Sequence, residues 1–122
     1  DHLQELNPWT QKVYNEAKSY TNQQYENAKA LAERGRTAID KVFNYYDVLI
    51  TPSARGEATK DLMAVETSYF NSIWTLMFLP CLTLPIFKSP SGLPLGLQLV
   101  CRRDCDDLLL AIGRSIEQKI KQ

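Results

Sequence analysis

Apolar residues recur first at helical and then at strand spacing, and the change falls near Tyr46. Asn7-Pro8 offers a cap followed by a first-turn proline, which predicts a helix from Pro8 to about Ser19. Thr21 to Gln24, "TNQQ", has the spacing of a capping box and opens a second helix, expected over Asn22 to Tyr46. Its apolar positions Ala28, Leu31, Ala32, Ile39, Val42, Phe43 and Tyr46 fall on one face. Gly35 is the weak point, costing roughly 1 kcal/mol relative to Ala.

Beyond Tyr46 the pattern shortens. "YDVLITP", Tyr46 to Pro52, is an apolar run closed by proline and reads as a buried strand. "SARGEATKDLMAVETSY" keeps no period and reads as a loop with a helical turn. "YFNSIWTLMF" predicts a short helix with Phe70, Ile73, Trp74 and Met77 on one side. Two more strands follow, Pro80 to Phe87 and Leu93 to Cys101, joined as an antiparallel hairpin through the turn residues of "KSPSG". The second alternates Leu95, Leu97 and Leu99 against Gly96, Gln98 and Val100. A terminal helix closes the pattern, acidic at its start and basic at its end, with Leu108, Leu109, Ile112, Ile116 and Ile120 as its core face.

These elements predict an α/β fold, with helices packed on a small mixed β-sheet. The organisation is a single domain or fragment over 1–122: helical over 1–46, strands and hairpin over 47–100, and a terminal helix over 104–121. The strand ending at Pro52 finds no evident partner in the sequence. A sheet this narrow keeps open edges, which points to part of a larger fold or to self-association.

Composition narrows the function. Fourteen basic residues balance fourteen acidic ones, and neither half of the chain is polarised, which argues against a nucleic-acid surface. No apolar run approaches the ~20 residues of a membrane span. Three cysteines, Cys81, Cys101 and Cys105, are an odd set and speak against a disulfide framework, so a cytoplasmic setting is expected. The chain opens "DHLQELNP", without Met or a leader pattern, and is read as a processed or excised piece.

Candidate chemistry is sparse. His2 is the sole imidazole, so neither a cysteine nucleophile at Cys101 or Cys105 nor a zinc site with Cys81 has the partners it needs. Asp104, Asp106 and Asp107 read as helix-start residues rather than as a metal cluster. Arg102-Arg103 reads as a solvated basic pair, and Glu57, Asp61 and Glu66 lie in an irregular stretch that specifies no acid–base pair. No metal and no cofactor are expected.

Four segments in order carry a resemblance: "YDVLITPSARGEA", "FNSIWTLMFLPCLTLP", "SGLPLGLQLV" and "DDLLLAIGRSIEQ". Together they resemble the C-terminal portion of the amidase signature family, and the helical region from about Asn7 resembles what precedes it there. "GLPLGLQLV" is the most specific of these pieces. The resemblance implies a C-terminal part of the larger amidase-signature α/β/α fold, from enzymes that cleave a carboxamide C–N bond with a Ser–cis-Ser–Lys triad. None of Ser19, Ser53, Ser68, Ser72, Ser89, Ser91 or Ser115 stands in a Gly-Ser-Ser-Gly setting, and no lysine matches the catalytic one. No catalytic residue carries over, so the chain alone is expected to be inactive.

What carries over is pocket lining. Thr51, Pro52 and Ser53 match the segment near the substrate mouth, and Asn71, Trp74 and Thr75 match the helix behind it. Phe78 departs from the pattern, standing where the family often has Gly, and its ring is expected to fill space near the pocket. The partner expected is an N-terminal catalytic part, with a small amide as the parent's substrate and neither nucleic acid nor membrane. The rival reading is a non-catalytic scaffold or interaction module that associates with itself or with a catalytic polypeptide.

Overall fold

A computed structural model describes residues 2–60 and 69–120. A short 3-10 turn, His2–Glu5, precedes helices α1 (Pro8–Lys18) and α2 (Asn22–Val42). Strand β1 (Val48–Pro52), helix α3 (Ser72–Met77), strands β2 (Cys81–Lys88) and β3 (Pro94–Cys101), and helix α4 (Asp106–Ile120) follow. The chain divides into two compact units, residues 1–34 and 35–122, and the division falls within α2.

In the first unit, helix starts are built as their sequences dictate. Asn7 Oδ1 accepts from the Thr10 amide at 2.9 Å, with Pro8 filling the first turn, where no amide hydrogen is needed. Thr21 and Gln24 cap reciprocally: the Thr21 amide donates to Gln24 Oε1 at 2.8 Å, and the Gln24 amide to Thr21 Oγ1 at 3.2 Å.

The second unit is built round β3. The strand order is β1-β3-β2, and both pairings are antiparallel. The α/β class holds, and the described sheet is antiparallel throughout rather than mixed. The hairpin fixes β2 antiparallel to β3, and β1 lies antiparallel along the other side of β3, so Val48 pairs with Cys101 and Pro52 with Leu97. The strand that lacked an evident partner thus has one, and β1 and β2 form the edges of this sheet. Proline at the end of edge strand β1 costs no ladder bond if its nitrogen faces outward.

Alternation along β3 feeds two cores, one on each face. Leu99 and Cys101 join Leu84 and Leu109 of α4, with Leu82, Leu97, Ile112 and Ile116 packed around them. Val100, on the opposite face, joins Phe43 and Leu79, with Ile39, Leu49, Trp74 and Met77. The sheet therefore lies between α4 on one side and α3 with the end of α2 on the other. Leu99, Val100 and Cys101 are completely buried, and burial of a side chain the size of Leu99 contributes roughly 1.5–3 kcal/mol.

One boundary and two helix faces differ from the sequence reading. Helix α2 stops at Val42 rather than Tyr46, because Arg102 Nη2 donates to the Phe43 carbonyl at 2.5 Å and satisfies the helix end there. The core face of α4 is Leu109, Ile112, Gly113 and Ile116, while Leu108 and Ile120 are exposed. Leu108 is one residue, about 100° of helix, off that face. Gly113 is buried, and a Cβ there would strike the Leu82 side chain, so glycine lets α4 approach β2 closely. In α3, Trp74 and Met77 face the core as expected, but Ile73 is exposed. The helical turn expected in the loop after Ser53, with Asp61, Glu66 and Ser68, falls largely outside the described residues.

Candidate functional site

Gln98 is the one polar residue among the buried positions of β3, with 3% of its surface exposed. It pairs in register with Thr51 on β1 and Thr83 on β2, on the same face as Val100. A buried amide must find partners for both of its ends. Its carbonyl Oε1 accepts from Thr51 Oγ1 at 2.9 Å, and its Nε2 donates to Asn71 Oδ1 at 2.5 Å. Asn71 stands at the N-cap of α3 but makes no side-chain cap bond; its Nδ2 donates to the Ser53 carbonyl at 3.4 Å instead. Ser53 continues the ladder past β1, donating to the Gly96 carbonyl from its amide at 3.2 Å and from Oγ at 3.1 Å. A side chain at residue 96 would collide with Ser53, and its Cβ would lie 2.6 Å from Thr83 Cγ2. Glycine is what lets the loop close onto the sheet.

Two concavities adjoin this cluster. One, of about 380 Å³, is lined by Thr51, Pro52 and Ser53 with Ile50, Phe87 and Leu95, and among the described residues Arg55 is the charged side chain along it. The other, of about 400 Å³, is lined by Asn71, Ser72, Thr75 and Leu76. Five of the six residues expected at a pocket therefore line one or the other. Trp74 does not: it packs against Phe43, Leu79 and Val100, and its buried Nε1 finds no acceptor among the described residues. Thr75 Oγ1 donates back to the Asn71 carbonyl at 3.2 Å, which ties the first turn of α3 to its cap.

Phe78 does not fill the pocket. It takes the left-handed conformation (φ 60°) that ends α3, and this turns its ring outward, 59% exposed. A position of that conformation favours glycine.

Elsewhere the charged groups serve the fold. Another concavity, of about 520 Å³ near Arg102, Arg103, Asp40 and Asp104, holds charges of both signs. Arg103 pairs with Asp40 at 3.3 Å and Arg102 closes α2, so neither is simply solvated. Glu57 accepts a hydrogen bond from Ser91, whose hydroxyl lies 3.0 Å from that of Ser89; these serine bonds, Ser89's first, hold the Glu57 carboxyl below its ordinary pKa of 4.5. Burial pushes the Cys81 and Cys101 thiols up, away from thiolate chemistry at neutral pH. His2 bonds Glu5 at 2.7 Å. Among the described residues no group of three or more His, Cys, Asp or Glu gathers as a metal would need, and no helix is long and apolar enough to cross a membrane.

Among the described residues the cluster thus contains hydroxyls, amides and backbone carbonyls but no titratable side chain beside a hydroxyl. These groups can orient a polar ligand, and none of them is a base that could activate a nucleophile. Gln98 and Gly96 were absent from the pocket residues read from the sequence. Their signal was available: a glutamine in a strand of otherwise apolar side chains has to be partnered.

Comparison with known proteins bears on the family and the fold. The Amidase family profile matches residues 2–110. The A subunit of mouse mitochondrial glutamyl-tRNA(Gln) amidotransferase is 31% identical over 111 residues, covering 80% of this chain and 21% of the mouse protein. Its counterpart from Salinibacter ruber is 36% identical over 109 residues, with the same shares covered. Structures of 6-aminohexanoate cyclic dimer hydrolase, free and complexed with substrate, superpose with TM-scores of 0.72 and 0.71 at 20% identity. They cover 93% of this chain and 28% of theirs, a likeness of fold. The chain spans about a fifth of the length of the curated relatives it matches. With the profile running over nearly its whole length, this chain belongs to the amidase family.

Proposed function

We propose that this chain is the C-terminal segment of an amidase-signature hydrolase that cleaves a carboxamide C–N bond. In this reading Thr51, Pro52, Ser53, Asn71, Trp74 and Thr75 form one wall of the substrate pocket, Trp74 from behind. The acylated serine, its cis-linked serine partner and the lysine come from polypeptide outside these 122 residues, and the segment alone is inactive. One observation carries the reading: Gln98 draws β1, the loop after it and the cap of α3 together, in a chain that spans a fifth of its relatives. The unpaired thiols Cys81, Cys101 and Cys105 support a reducing, cytoplasmic setting.

The test compares ammonia release from propionamide by the 122-residue chain and by the polypeptide as its cell makes it. The expected result is none from the former, and turnover by the latter that a serine-acylating reagent abolishes. Turnover by the shorter chain would sink the proposal, as would a native polypeptide of this size with no activity.

A second reading, a non-catalytic module that associates through its sheet, is favoured by the two edge strands and by the exposure of Ile50 and Phe87 beside them. Unfolding of the 122-residue chain separates the two: a stable, cooperatively unfolding monomer favours the module over the segment, whereas concentration-dependent association fits both.

A further inference from the structure

The hydrogen bonds around Gln98 all run one way. Thr51 Oγ1 donates to Gln98 Oε1, Gln98 Nε2 to Asn71 Oδ1, and Asn71 Nδ2 to the Ser53 carbonyl. That carbonyl is an obligate acceptor, so it fixes the direction of every bond before it. Turning the Asn71 amide over would set oxygen against oxygen at Ser53. Turning Gln98 over would do the same at Asn71. Among the described residues the two amides therefore have a single satisfied orientation, while the Thr51 hydroxyl also lies 3.2 Å from the Pro52 carbonyl. The buried amide, Gln98, is at the centre of the sheet.

We propose that Gln98 is a positioning residue: its amide holds Asn71 in the orientation that anchors the Thr51-Pro52-Ser53 wall against α3. This rests on the pocket reading above and adds to it a residue that lines neither concavity. Gln98→Leu removes both ends of the relay. Gln98→Glu preserves shape, but its carboxylate presents only acceptors, so Asn71 must serve either the new carboxylate or Ser53. Protonation restores the pattern, because a carboxylic acid donates from one oxygen and accepts at the other. Among the described lining of the adjoining cavity the charged side chain is Arg55, whose guanidinium lies over the Tyr69 ring, 4.5 Å from its centroid.

The experiment uses the polypeptide as its cell makes it and reads two quantities. The first is the rate of tryptic cleavage after Arg55, which is exposed just beyond the wall. The second is KM and kcat for propionamide. Gln98→Leu should speed cleavage severalfold and raise KM more than it lowers kcat. Gln98→Glu should resemble Gln98→Leu in mild alkali and approach wild type in mild acid, each rate taken relative to wild type at the same pH. Should Gln98→Leu fail to fold, Thr51→Val cuts the first link, and Thr51→Ser should rescue it. Cleavage at the wild-type rate in folded Gln98→Leu, or in Thr51→Val, would overturn the relay. Faster cleavage with unchanged KM upholds the relay and counts against the pocket reading alone.

Discussion

The guanidinium of Arg36 lies over the ring of Phe78, 4.0 Å from its centroid, while its Nε and Nη2 donate to the Leu76 carbonyl at 3.1 and 2.9 Å. One side chain on α2 thus satisfies an end carbonyl of α3 and covers the residue that terminates it. Phe78 holds a left-handed conformation that costs an L-residue roughly 1–2 kcal/mol. Phe78→Ala keeps that cost and loses the ring contact, worth about 0.5–1 kcal/mol at an exposed site. Phe78→Gly loses the ring but also the strain. Denaturant unfolding should therefore rank Phe78→Gly above Phe78→Ala by about 1 kcal/mol; the reverse order would mean that the backbone is not strained at this position.

Gly96→Ala should destabilise by about 1–3 kcal/mol, the range for forcing an extra methyl into packed structure. The new Cβ would meet Thr83 Cγ2 at 2.6 Å and the Ser53 side chain. Ser53 is the more movable of the two, so the variant should also cleave faster after Arg55. A neutral midpoint in denaturant would show that the loop does not close on Gly96 as described.

Glu57 links the loop after β1 to the turn between β2 and β3 through Ser91 and Ser89. Its folded pKa is lowered, first by Ser89 and then by Ser91. A lowered carboxylate pKa contributes stability that is complete above the ordinary value of 4.5 and is lost as pH falls through the lower folded value. The stability difference between wild type and Glu57→Gln should therefore hold from neutral pH down to about 5 and vanish in stronger acid. A difference that stays constant into strong acid would remove the carboxylate from the explanation.

On α4, neighbouring leucines should behave differently. Leu109 is 3% exposed in the core with Leu84 and Leu99, so Leu109→Ala is expected to cost about 2–5 kcal/mol. Leu108 is 43% exposed, and Leu108→Ala should stay within about 0.5 kcal/mol. Equal costs would mean that α4 sits rotated from the face described.

The elements with local signals were legible in the sequence. Asn7-Pro8, the Thr21–Gln24 box and the Ser-Pro-Ser-Gly turn each encode their structure within a few residues, and the helix ends and hairpin they predict are present. The pairing of β1 with β3 was not legible, because nothing near Val48 specifies a partner some fifty positions away. The same limit explains α2: its end is set by Arg102, far along the chain, rather than by its own periodicity. At the site, residue types in matched segments pointed to Thr51, Ser53 and Asn71. The buried amide that joins them lay on a strand whose leucines drew attention to packing.

The strand order β1-β3-β2 also sets an order of assembly. Lys88 and Pro94 lie six positions apart across the hairpin, whereas Val48 must close a loop of about fifty residues to reach Cys101. Closure entropy grows with that separation, and distant pairings form late. The hairpin that carries Gln98 and Gly96 should form before β1 brings Thr51, Pro52 and Ser53 to it. Native-state hydrogen exchange should accordingly find the β1 amides opening before those shared by β2 and β3. The pocket wall would then be the last part of the sheet to arrive and the first to leave, present only once folding is complete.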